Sequence, residues 1–222
     1  MNSSAQSDDR QCSGALTRIV LLAVSLSAHA VWNAPVHAAT RIDLDPNGTH
    51  VGFLLSTTWH NVEGRTSHVT GRISSSSGRL FEDGMVRVEV DAATLETGNA
   101  RRDRTMRESS LETDRHPKIT FASAGPPVTI STVRDASGRF VEVSFTVPGD
   151  LTIHGVRRRV SLPVTARARG AEWEMSGEIA VKLSEFQIPD PSIVVNRVKD
   201  EVTVTFTMRT RPAAQTPDGE PD

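Results

Sequence analysis

Hydrophobic and polar residues alternate along most of the chain from residue 41 onward, with the period of a β-strand that buries one face. The last run is the most regular, because Val204 and Phe206 fall on one face and Thr203 and Thr205 on the other. The predicted strands are 49–57, 68–74, 85–91, 117–121, 141–147, 160–164, 179–183 and 202–209. Most of the chain is therefore predicted to be β-structure.

Clusters of glycine, proline, aspartate and serine separate these strands. They predict turns at 45–48, 75–78, 82–84, 125–127, 135–138, 148–150 and 169–170. About eight antiparallel strands at this spacing form either a sandwich or an up-and-down barrel. The alternation alone does not choose between the two.

The alternation stops between residues 95 and 121. A short helix over about 99–110 is predicted there, with Thr97 or Asn99 as its N-cap and Met106 and Leu111 as its apolar anchors. The fold class is therefore all-β, with one short helix at the rim of the sheet.

Two segments carry a family resemblance. The first runs from Thr94-Leu95-Glu96-Thr97-Gly98-Asn99 to His116-Pro117-Lys118-Ile119-Thr120-Phe121, and the second from Pro148-Gly149-Asp150-Leu151-Thr152-Ile153-His154-Gly155-Val156 to Val160-Ser161-Leu162-Pro163-Val164. Together they resemble the YceI-like family of secreted bacterial proteins, and the likeness extends from about residue 45 to residue 202. It implies an antiparallel, lipocalin-like β-barrel whose interior holds a polyisoprenoid, such as the tail of a quinone.

The residues expected to contact such a ligand are the inward-facing apolar positions and two tryptophans at the mouth. An isoprenoid is nearly all hydrocarbon, so an apolar tunnel needs no charged group to hold it. Each of the apolar side chains is more often part of an ordinary packed core than a ligand contact, and the two tryptophans could equally be packing anchors. The sequence does not say whether the barrel is hollow. The predicted ligand-binding residues are Phe53, Leu55, Trp59, Val86, Val88, Val90, Phe121, Val143, Phe145, Trp173, Val204 and Phe206.

The N-terminus has the pattern of an export signal. Arg10 and Arg18 precede an apolar run of ten residues, 19–28, which is far short of the roughly 20 that span a bilayer. We expect a signal peptide over 1–39, the barrel domain over 40–210 and a disordered tail over 211–222. The protein is expected to be periplasmic or secreted.

Charge and cysteine content narrow the function classes. The formal net charge is −2, and it stays −2 without residues 1–39, which hold two basic and two acidic side chains. A balance that is not basic gives no indication of nucleic-acid binding. The single cysteine, Cys12, precedes the apolar run, so cysteine-based redox or metal chemistry is not expected in the processed chain. No stable membrane insertion is expected, and a homodimer is compatible with the sequence.

No motif in the sequence demands an enzyme, a cofactor or a metal. The five histidines after residue 39 include no H-x-H or H-x-x-x-H pair, so the sequence predicts no metal site. His116 and His154 lie in the two family-like segments, where a turn histidine can also satisfy backbone carbonyls. Asp103 is expected to fix the helix to the rim.

Three functions stay open at this point. The first is a carrier that sequesters a polyisoprenoid inside the barrel. The second is a secreted stress or interaction protein with a packed, ligand-free barrel. The least favoured is an unrecognised enzyme that uses His116, His154 and Asp103.

Overall fold

The structure is a computed structural model that describes residues 39–192 and 197–211, all within one compact unit, 37–222. The predicted signal peptide and the predicted tail fall almost wholly outside the described residues and remain predictions.

In the part of the chain that the structure describes, eleven antiparallel strands form a single sheet. The strands are β1 Thr40–Asp43, β2 His50–Thr57, β3 Asn61–Thr66, β4 Val69–Ser75, β5 Met85–Asp91, β6 Lys118–Ser123, β7 Val128–Arg134, β8 Phe140–Ile153, β9 Val156–Arg169, β10 Glu172–Lys182 and β11 Val198–Arg209. Their spatial order is β1-β4-β5-β6-β8-β9-β10-β11-β2-β3, and β7 pairs with β8 outside this path. The all-β, antiparallel prediction is confirmed.

The sheet curls into a half-barrel, and its two ends are tied to other parts of the chain. Leu44, just after β1, forms a bridge with Thr210 at the end of β11. On the other edge, the N–H of Arg65 in β3 donates to the carbonyl of Glu96 at 2.9 Å, and the reverse bond measures 3.1 Å. These contacts satisfy backbone groups that an open edge strand would expose.

Three strands were not predicted, and each lacks the hydrophobic alternation that identifies the others. In β1 only Ile42 is buried, and in β7 every residue is exposed. The buried positions of β3 alternate as expected, but they are Val62, Gly64 and Thr66. The estimate of about eight strands was therefore too low.

The turn predicted at 148–150 is wrong, because these residues lie inside β8. On one side β8 pairs with β7 as far as Thr146 and with β6 from Gly149 onward. Pro148 sits in the gap between these partners, where a missing N–H breaks no ladder hydrogen bond. A Cβ on Gly149 would lie 2.4 Å from Cζ of Phe121, so glycine is needed for that ring to cross the strand.

The predicted rim helix is present. Helix α1, Leu80–Asp83, is a single turn. The helix predicted over about 99–110 is α2, Ala100–Thr105, which continues as a π-helical turn, Met106–Ser110. The side chain of Asn99 caps α2 by accepting from the N–H of Arg102 at 3.1 Å. Short 3₁₀ turns lie at Pro46–Gly48, Ala92–Thr94 and Ser184–Phe186. No helix in the described residues is long and apolar enough to cross a membrane.

Asp103 holds α2 to the loop before it, as the sequence suggested. Its carboxylate is 7% exposed and accepts from the backbone N–H of Thr97 at 2.9 Å. The Nε of Arg102 donates to the hydroxyl of the same threonine at 2.7 Å. Arg102 and Asp103 are thus both hydrogen-bonded to Thr97 in the loop before the helix.

Replacing Asp103 with alanine should therefore lower the free energy of unfolding by about 1–3 kcal/mol, because the N–H of Thr97 loses its acceptor in a half-buried site. Urea denaturation measures this change. The exposed neighbour Arg104→Ala serves as the control and should stay within about 0.5 kcal/mol of wild type. Equal effects of the two substitutions would show that the carboxylate does not anchor the helix.

Candidate functional site

The concave face of the sheet encloses an apolar cavity. Its volume is about 130 Å³, and it opens in part to solvent. Inward-facing side chains of β2, β4 to β6 and β8 to β11 form most of the wall.

The lining is almost purely hydrocarbon. None of the described residues that line the cavity carries an ionisable side chain, and the hydroxyls come only from Thr120 and Thr210. Acid–base or nucleophilic chemistry needs a titratable or activated group within reach of the substrate. The wall is therefore suited to binding an apolar chain.

Most of the residues predicted to bind a ligand come together in this cavity. Those that line it are Val86, Val88, Val90, Phe121, Phe145, Trp173, Val204 and Phe206. Their contact with a ligand remains a prediction.

The other four predicted residues lie elsewhere. Phe53 and Leu55 pack against a second apolar cluster, and Val143 is 1% exposed within the main core. Trp59 is 73% exposed on the turn between β2 and β3 and does not line the cavity. Of the two tryptophans predicted at the mouth, only Trp173 reaches the interior.

Several lining residues were missed by the sequence analysis. Ile73, Leu162 and Val164 share the inward parity of predicted strands, so the alternation itself contained the signal. Leu44 and Phe81 lie outside any strand, so no periodicity indicated them. Periodicity thus identified the wall and missed the parts that close it.

Phe81 on α1 covers one end of the cavity. Its ring lies 4.9 Å from that of Trp173 and 5.7 Å from that of Phe145, measured between centroids. Both contacts are edge-on or tilted, which is the favourable geometry for aromatic pairs. The helical turn α1 therefore acts as an aromatic cover at this end of the half-barrel.

The far end of the cavity is closed by apolar packing. Ile119, Leu151 and Ile179 line the cavity and also pack against the second cluster, which contains the buried Phe186. The cavity therefore lies between the aromatic cover and this second cluster.

A carboxylate anchors the aromatic cover to the sheet. Asp83, the last residue of α1, accepts from the hydroxyls of Ser75 and Ser76, the latter at 2.7 Å, and from the N–H of Ser77 at 2.9 Å. The hydrogen bonds from Ser75 and then Ser76 hold the pKa of Asp83 well below its usual value. These bonds favour the ionised form.

The stability that Asp83 contributes should consequently depend on pH. A carboxyl whose pKa is depressed by folding stabilises the protein above its unfolded-state pKa, about 3.9, and loses that contribution as the pH falls toward the folded-state value. The difference in unfolding free energy between wild type and Asp83→Asn should therefore shrink between about pH 5 and pH 2. Urea titrations at a series of pH values measure it, and a difference independent of pH would contradict the anchoring role.

His116 and His154 meet outside the cavity. Their ring centroids are 4.8 Å apart, in an edge-on arrangement, and Glu112 lies beside them. Neither histidine lines the apolar interior.

Comparison with protein families matches residues 43–210 to the YceI-like domain. Curated relatives include a UPF0312 protein of Shewanella denitrificans, 27% identical over 175 residues, which span 77% of this chain and 85% of that protein. A UPF0312 protein of Vibrio campbellii is 25% identical over 156 residues, which span 66% of this chain and 76% of that protein.

Two solved structures share the fold. BcnA of Burkholderia cenocepacia superposes with a TM-score of 0.61 at 21% identity, covering 75% of this chain and 98% of that one. A polyisoprenoid binding domain from Saccharophagus degradans, implicated in plant cell wall breakdown, gives a TM-score of 0.61 at 16% identity, covering 77% and 98%.

Proposed function

Because the chain belongs to the YceI-like domain family, we propose that it is an exported lipid-binding protein and not an enzyme. It sequesters or carries one polyisoprenoid, quinone-like molecule inside the half-barrel. The observation that carries this proposal is the apolar cavity inside the sheet, whose described lining has no ionisable side chain.

The energetics of an apolar chain support this ligand class. Each CH₂ group removed from water contributes roughly 0.8 kcal/mol, so a chain of many isoprene units binds without any polar anchor. The cavity is walled by side chains such as Val88, Leu162 and Phe206, which suits a hydrocarbon ligand. The domain from Saccharophagus degradans, which has the same fold, is a polyisoprenoid binding domain.

Export to the periplasm or the medium is part of the proposal. Its support is the sequence of residues 1–39, in which basic residues precede a short apolar run and small residues follow. Immunoblots of periplasmic and cytoplasmic fractions from a Gram-negative host should find a shortened protein in the periplasm. A full-length protein in the cytoplasm would contradict export.

Transfer from vesicles tests the binding function. Phosphatidylcholine vesicles that contain a long-tail ubiquinone are mixed with the delipidated protein and removed by flotation. We expect ubiquinone to stay with the protein at about one molecule per chain. Ubiquinone that floats entirely with the vesicles, although the protein is folded, would count against the proposal.

A further inference from the structure

Three potential metal-binding side chains converge at the turn between β8 and β9. Glu112, His116 and His154 each offer one ligand atom, and these three atoms lie within 4.8 Å of one another. All three residues are half-buried. Nε2 of His154 is 3.6 Å from Oε2 of Glu112. Two atoms bound to one Zn²⁺ at about 2.0–2.2 Å lie roughly 3.5 Å apart, so this pair is already at the spacing that a shared ion requires.

A backbone carbonyl fixes the tautomer of His154. Its Nδ1 lies 3.3 Å from the carbonyl oxygen of Phe186, which can only accept a hydrogen bond. Nδ1 must therefore carry the hydrogen, and the lone pair of the neutral ring resides on Nε2. A carbonyl or carboxylate behind the ring is the usual partner of a metal-ligating histidine, since it orients the other nitrogen toward the ion.

That lone pair has no partner in the structure. Nε2 of His154 is the one buried side-chain nitrogen or oxygen, among the residues described, that has no hydrogen-bond partner. Oε2 of the Glu112 carboxylate lies 3.6 Å from this nitrogen and, like it, can only accept a hydrogen bond. Two acceptors that face each other at 3.6 Å are the arrangement that a shared metal ion stabilises.

The backbone around this cluster is strained in a way that points to a site. Within the described chain, positive φ values outside glycine occur at Glu112 (45°), His154 (51°) and Gln187 (54°). Glu112 and His154 supply ligand atoms, and Gln187 follows Phe186, whose carbonyl orients His154. Strained residues of this kind cost about 1–3 kcal/mol each and concentrate at functional sites.

The local turns explain how the three side chains meet. The N–H of His116 donates to the carbonyl of Glu112 at 2.9 Å, which places both on one side of a turn. His154 and Gly155 form the two-residue hairpin turn, with φ values of 51° and 74°. A Cβ on Gly155 would lie 2.7 Å from Cε1 of His116, so glycine lets the two imidazoles approach.

One cation already contacts the cluster. Nη1 of Arg115 donates to Oε2 of Glu112 at 2.9 Å, but the arginine side chain is 74% exposed. An exposed pair of this type contributes about 0–1 kcal/mol, so it does not prevent the carboxylate from binding an ion. Nε2 of His154 stays unpartnered with this arginine in place.

We propose that Glu112, His116 and His154 form a binding site for one divalent transition-metal ion, with Zn²⁺ as the best match. Two imidazoles and a carboxylate suit zinc, and they leave a coordination position for water or another ligand. The site is separate from the lipid cavity. None of the three side chains lines the cavity, and the apolar cluster around Phe186 lies between the cavity and His154.

Calorimetric titration with ZnCl₂ tests the proposal on the protein purified without a polyhistidine tag and stripped with a chelator. We expect one Zn²⁺ per chain, and an affinity at least about tenfold lower in His154→Asn. Asparagine suits the first position of this hairpin turn, so the substitution removes the imidazole and keeps the backbone. The exposed histidine variant His68→Asn is the matched control and should bind like wild type.

A second variant keeps the test decisive if the hairpin turn is disturbed. His116→Gln lies outside that turn and should weaken Zn²⁺ binding to a similar degree, with a circular dichroism spectrum like that of wild type. Co²⁺ supplies an independent signature, because its visible ligand-field bands should appear with wild type and be lost in both variants. The proposal would be overturned if wild type did not bind Zn²⁺ one to one, or if wild type and both variants bound it equally.

Discussion

The double substitution Val160→Phe and Val164→Phe should abolish uptake of ubiquinone while leaving the protein at least as stable as wild type. Both valines lie on the inward face of β9 and line the cavity. Two phenyl rings would occupy the space that the proposed ligand needs. Because filling empty space recovers contacts worth about 24 cal/mol per Å³, the free energy of unfolding should not fall.

The same double substitution distinguishes a barrel with a hollow interior from a barrel with a packed interior. In a filled core, enlarging two side chains forces strain of about 1–3 kcal/mol each, and the protein would be clearly destabilised. Vesicle transfer and urea denaturation of the double variant measure both quantities. Val141→Phe, on the exposed side of β8, is the control and should leave uptake unchanged. Normal uptake by a destabilised double variant would contradict the cavity as the binding site.

Gly177→Ala should lower the free energy of unfolding by about 3 kcal/mol, which is a large effect for one methyl group. A Cβ at this position of β10 would lie 2.1 Å from the carbonyl oxygen of Pro163 and 2.6 Å from Cζ of Phe206. The ring could turn aside, but the carbonyl belongs to the neighbouring strand and moves only with its backbone. Substitution therefore separates β9 from β10 and displaces a lining ring.

Thermal unfolding provides the measurement, since a domain of this size loses about 2–4 °C in Tm for each kcal/mol. Gly125→Ala is the matched control, because the nearest atom to a Cβ there is Cγ of Pro148 at 3.9 Å. It should leave the Tm within a few degrees of wild type. If both alanine variants have the same Tm as wild type, the close contact at Gly177 is not a constraint on the fold.

The sequence predicted the wall of the cavity because burial on one face imposes a period of two. The inward valines of β5 and the inward residues of β11 follow that period without exception. Strand β3 does not show this hydrophobic period in its sequence, because Gly64 and Thr66 fill two of its buried positions. A Cβ at Gly64 would lie 2.2 Å from the ring of Phe53 on the paired strand β2, so this position requires glycine. The sequence of β3 alone does not show this requirement.

The length of β8 was hidden for a related reason. Proline and glycine usually indicate a turn, and at 148–149 they instead mark the place where a long strand changes its neighbour. Local composition cannot distinguish these two situations, because the difference lies in which strands are adjacent.

The cluster of Glu112, His116 and His154 was missed because spacing rules examine one segment at a time. His116 and His154 belong to different segments, and only the hairpin turn between β8 and β9 brings them together. A mixed search for a carboxylate four residues before a histidine would have found Glu112 and His116. The third member depends on the tertiary fold.

Mass spectrometry of an organic extract is the most direct test of the central claim. The protein is expressed with its own N-terminus in a Gram-negative host and purified from the periplasm without detergent. A polyisoprenoid at about one molecule per chain is the predicted result, and the double variant Val160→Phe, Val164→Phe should yield an extract without it. An empty extract from folded wild-type protein that also fails to take up added ubiquinone would contradict a lipid-binding barrel.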